Sequence, residues 1–187
     1  MADPREVHVD VIVTPGNNPP FKFETADLPM VPDNHLKFNN CNHPGFCVHY
    51  DLKDPPAGYR FPDSTMFPSE PPGQHLKAAL YCKVNSTCPT SPSTWGQFEA
   101  VEVKNNGNTL VVHNRNQSAA QFGYTLRVTN DNGKTFLDLD PVGTNSNGPS
   151  LTTYSMSLST FAFSGAASAL GALVAVLALY GLGVVGR

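Results

Sequence analysis

The sequence predicts an all-β sandwich followed by a single C-terminal transmembrane helix. Three observations carry this. Apolar and polar residues alternate in several short stretches, the period of half-buried strands. Among 187 residues, 17 Pro and 15 Gly interrupt any long helical period. No charged residue lies between Asp140 and Arg187. Charged residues make up only 14% of the chain, where about 25% is usual in soluble domains. With Lys+Arg 12 against Asp+Glu 15 the formal net charge is -3, so no basic field exists to hold a phosphate backbone and nucleic acid is not an expected partner.

Taken in order, Val7, Val9, Val11 and Val13 share one face of an opening strand that ends at the turn residues 15–20. Prolines and short aromatic runs between Phe21 and Pro72 read as short strands and long loops. Leu76, Ala78, Leu80, Cys82 and Val84 alternate as a further strand, followed by a polar loop over 86–93. Asn105-Asn106-Gly107-Asn108 joins two apolar stretches, 98–103 and 109–113, as a hairpin, because Asn-Gly tolerates the positive φ of a tight turn. Asn130-Asp131-Asn132-Gly133 does the same between 122–128 and 134–139.

Three regions follow: an extramembranous β-sandwich domain over 1–143, a polar spacer rich in Ser, Thr and Asn over 144–160, and a transmembrane helix over 161–187. The uncharged run 161–185 reaches about 37 Å as a helix at roughly 1.5 Å per residue, enough to cross a hydrocarbon core of about 30 Å with tilt. The polar opening residues lack the apolar stretch of a secretory signal, so the chain is expected to be tail-anchored with its β-domain on the cytoplasmic face. A lone Arg187 beyond the helix pulls the other way.

Two stretches, Pro19-Pro20-Phe21 after the valine strand and Asn114-Arg115-Asn116 leading through Phe122-Gly123-Tyr124-Thr125-Leu126 to Asp140-Pro141, resemble a small bacterial family labelled DP-EP. The likeness covers about a third of the chain. It implies an immunoglobulin-like or cupredoxin-like sandwich and no particular activity. The cysteine-bearing middle and the hydrophobic tail depart from that pattern.

Cys41, His43, Cys47 and His49 form the segment of greatest metal-ligand density. A three-residue loop over 44–46 would pair His43 with Cys47 and Cys41 with His49, placing all four side chains on one face around Zn²⁺; a two-residue turn would split them between faces. A copper site needs a second His and usually an axial Met, and Met66 lies far along a proline-rich loop. The four cysteines alternatively form two disulfides, Cys41–Cys47 with Cys82–Cys88 being one of three connectivities, or stay reduced. Asn130, Asp131, Asn132, Asp138 and Asp140 are candidate Ca²⁺ oxygens, with a plain hairpin as the simpler reading. Asn85 and Asn116 open glycosylation tripeptides. His8, His35, His75 and His113 read as surface or half-buried polar residues, and no catalytic motif is present, so the chain is not read as an enzyme.

In the tail, Ser164, Ala167, Ser168, Gly171, Ala172 and Ala175 leave a shallow strip on which another helix can dock closely. No His follows His113, so the helix lacks an imidazole for haem or a pigment metal. Together these features predict a non-catalytic, membrane-anchored accessory subunit without a cofactor. Its partners are the lipid bilayer and the subunits of a larger membrane complex, photosynthetic or respiratory. Zn or Cu binding through the Cys41/His43/Cys47/His49 cluster is the alternative.

Overall fold

In the computed structural model, residues 4–31, 34–39, 45–56, 58–85 and 88–146 are described. The valine alternation forms β1 (Arg5–Val13), followed by β2 (Phe21–Glu24), β3 (Met30–Val31), β4 (His35–Phe38) and β5 (Phe46–Leu52). Next come a short helix α1 (Gln74–Ala79) running into β6 (Leu80–Val84), then β7 (Phe98–Lys104), β8 (Thr109–Asn114), β9 (Ala120–Val128), β10 (Leu137–Leu139) and β11 (Val142–Asn145). The chain is therefore mostly β, with almost no helix among the described residues.

The strands form two mixed sheets. The first has the order β2-β1-β5-β8-β7; β1 and β5 run parallel and the other neighbours antiparallel. In the second, β9 holds β6 along one edge and β10 then β11 along the other, and β11 continues through a parallel pairing to β4 and on to β3. Val7, Val9, Val48, Tyr50, Leu110 and Val112 of the first sheet share one core with Leu36, Phe38, Phe122, Tyr124 and Leu126 of the second. Each such side chain contributes about 1.5–3 kcal/mol by leaving water. This shared core is consistent with a β-sandwich.

Both predicted hairpins form. Asn105, Asn106 and Gly107 turn with φ of 52°, 55° and 89°, and Asn132 and Gly133 with 59° and 83°. The stretch 76–84 differs from expectation, because its first half is α1. Leu76, Ala79 and Leu80 satisfy the 3.6-residue period as well as Leu76, Ala78 and Leu80 satisfy two, and Gly73 at φ 82° starts the turn. The predicted transmembrane helix lies outside the described residues, among which no helix is long and apolar enough to cross a membrane.

Candidate functional site

The parallel register of β1 and β5 builds the site. It sets Glu6 beside Cys47, His8 beside His49 and Asp10 beside Asp51. Val7, Val9, Val11, Val48, Tyr50 and Leu52 fill the core, so strand alternation turns Glu6, His8, Cys47, His49 and Asp51 to the outer face of the first sheet. Gly45 lets β5 start there: at φ 135° its backbone runs so close to β8 that a Cβ would meet the Asn114 carbonyl at 2.4 Å.

His49 Nε2 donates to Glu6 Oε2 at 2.6 Å and lies 3.6 Å from Cys47 Sγ. Among the described residues Glu6, Cys47 and His49 form a group whose ligand atoms all lie within 4.8 Å of one another. The His8 ring stacks on His49 with centroids 4.7 Å apart, and its Nδ1 pairs with Asp51 Oδ2 at 3.1 Å. Thr109 Oγ1 donates to Asp51 Oδ1 at 2.7 Å, and His113 stands opposite Cys47 on β8. An open cavity of ≈ 370 Å³ lies beside His8, with Asp10, Glu24 and Asp27 also in its lining.

Electrostatics follow this geometry. Burial pulls the Glu6 carboxyl upward, but hydrogen bonds from His49 and Cys47 outweigh it and hold the group below its ordinary range. Asp51 behaves likewise, burial being outweighed by the hydrogen bonds from Thr109 and His8. Burial first, and the Glu6 carboxylate second, push the Cys47 thiol up to about 11. A cation placed among the three would reverse the last effect, since it stabilises the thiolate.

Of the four expected ligands, the structure brings Cys47 and His49 together; Cys41 and His43 lie outside the described residues, as do all six tail residues from Ser164 to Ala175. On β5, Cys47 to His49 are flanked by β1 on one edge and β8 on the other. Cys47, Cys82 and Cys88 are free, so Cys82–Cys88 is not a disulfide and neither is any pair involving Cys47. The Ca²⁺ candidates do not converge. Asp131 accepts from Thr129, Lys134 and Thr135, Asn132 accepts from Arg60, and Asp138 pairs with Arg127 at 2.8 Å. Asn116 is buried, with its amide directed to the Phe38 carbonyl, which closes it to a glycan in the folded chain. Glu6 and His8 were missed as site residues. Their only sequence signal is the even-numbered, outward phase of the valine strand.

No protein-family model matches this chain, and no curated protein matches it.

Proposed function

We propose that this chain is a metal-binding β protein in which Glu6, Cys47 and His49 hold one Zn²⁺ on the outer face of the first sheet. The observation that carries the reading is the convergence of three chemically different ligand atoms within 4.8 Å. Tetrahedral zinc with ligands at about 2.0–2.3 Å needs ligand atoms about 3.3–3.7 Å apart. The sulfur–imidazole separation of 3.6 Å already fits, and the 2.6 Å Glu6–His49 contact needs to open by about 1 Å as the cation replaces the shared proton. A fourth position would lie toward solvent, where Glu6 is exposed. Nitrogen, sulfur and carboxylate oxygen together suit zinc. Copper is less well served, since Met66 packs against Gly133, away from the cluster.

Elemental analysis of the full chain, purified without chelator, tests this. One equivalent of Zn is expected, falling at least tenfold in His49→Ala and Glu6→Gln and persisting in His75→Ala. Metal-free wild-type protein, or full occupancy in His49→Ala, overturns it.

A second reading concerns the whole chain and rests on the run 161–185 without a charge. It makes the protein a non-catalytic accessory subunit, held in the bilayer by that run, with the β-domain on the cytoplasmic face. Docking into a photosynthetic or respiratory complex would use the strip Ser164, Ala167, Ser168, Gly171, Ala172 and Ala175. On the finer architecture, the parallel pairs β1–β5 and β4–β11 favour a cupredoxin-like over an immunoglobulin-like arrangement, whose sheets are antiparallel. That choice is compatible with the resemblance to the DP-EP family.

A further inference from the structure

A cleft of ≈ 300 Å³ separates α1 from the open edge of β7, far in sequence from Glu6 and built from other elements. Its walls are apolar, with Leu76 and Leu80 on one side and Phe98 and Val101 on the other. Val101 is 39% exposed, one of two exposed large hydrophobics among the described residues. A β-bulge between Ala100 and Glu102 brings it out of the alternation.

The lining also holds a buried hydroxyl and an exposed ammonium. The Ser93 hydroxyl oxygen is buried with no hydrogen-bond partner, which an ordinary packed loop avoids. The Lys77 ammonium takes part in no ion pair among the described residues, while Glu99, the other charge in the lining, is paired with Arg115 at 3.4 Å. The cleft therefore presents one exposed cation outside any ion pair among the described residues and one buried, unused hydroxyl beside an apolar wall. Its volume stands at the lower end of small-molecule sites.

We propose that this cleft binds a small carboxylic acid with an apolar body, the carboxylate held by Lys77 and Ser93 and the body by Leu76, Leu80, Phe98 and Val101. Charge complementarity selects the acid. A neutral alcohol of the same shape fills the apolar part but leaves the ammonium unmatched, and an amine is repelled.

Phenylacetate is a suitable probe, with phenethyl alcohol as its neutral counterpart. Trp95 is the chain's one tryptophan, follows the cleft residue Thr94 and packs 5.0 Å from Phe122, so its emission reports occupancy. Titration of the full chain in a nonionic detergent should give saturable quenching or enhancement, with one equivalent of labelled phenylacetate bound in equilibrium dialysis. Phenethyl alcohol should bind at least tenfold more weakly. Lys77→Ala should weaken phenylacetate at least tenfold without changing the unliganded emission spectrum, and Ser93→Ala should weaken it severalfold. His49→Ala should leave it unchanged, which separates this site from the zinc reading. Absence of saturable binding, equal affinity for acid and alcohol, or undiminished binding by Lys77→Ala overturns the proposal.

Discussion

Tyr50 and Tyr124 face each other across the core, fully buried, with the Tyr50 hydroxyl donating to the Tyr124 oxygen at 2.9 Å. Burial drives both phenols well above their ordinary range, so they stay neutral donors and acceptors. Tyr50→Phe keeps the ring and its contacts with Phe23 and Tyr124 but leaves the Tyr124 hydroxyl without its partner. The expected loss is about 1–3 kcal/mol in denaturant unfolding, and the double variant Tyr50→Phe/Tyr124→Phe should lose less than the two single changes together. Equal and additive losses would mean that the two hydroxyls do not depend on each other.

At the scale of elements, the sheets are tied by more than apolar contact. Asn114 at the end of β8 and Asn145 at the end of β11 exchange amide bonds of 2.7 and 3.1 Å, and Asn114 Oδ1 also accepts from the Asn116 backbone. All three residues are buried. Asn145→Ala orphans the Asn114 amide between two strands of different sheets, and the expected cost of about 2 kcal/mol lowers Tm by about 4–8 °C in calorimetry. An unchanged Tm would show that the pair carries no inter-sheet energy.

Elements also mark how far the sequence could be read. β1 was legible because one face of it is core and the other is not, which imprints a period of two on Val7 to Val13. The hairpins were legible because Asn-Gly pairs mark the positions where φ must be positive. Two-residue β3 and four-residue β4 are too short to show a period, and α1 is ambiguous because small and apolar residues fill both phases. Cys47 and His49 were visible as neighbours on one strand face. Glu6 was not, since its place beside them depends on a parallel register with a strand some 40 residues later, and local composition does not encode that register.

For the whole molecule, the prediction concerns the tail. On the proposed reading as a membrane subunit, deleting residues 161–187 should release the protein from a detergent-extracted membrane complex while the β-domain keeps its thermal transition, because the core residues described, Val7 to Leu139, all precede the deletion. On the same reading, Gly171→Leu should weaken co-purification without releasing the chain from membranes, since a larger side chain would block close helix approach and raise apolarity. Unaltered co-purification in both variants would reject helix docking.

Ribosomal synthesis meets the parallel β1–β5 ladder as a timing problem. At about 5–20 residues per second, β5 exists for several seconds before β8 arrives to cover its second edge. Meanwhile β4 must wait for β11: His35 bonds Thr144 across 109 positions. Contacts so distant along the chain slow folding, because the loops must close before the pairings reward them. In that interval the hydrogen bond of His49 to Glu6 is available to join β1 to β5 before β8 has been made.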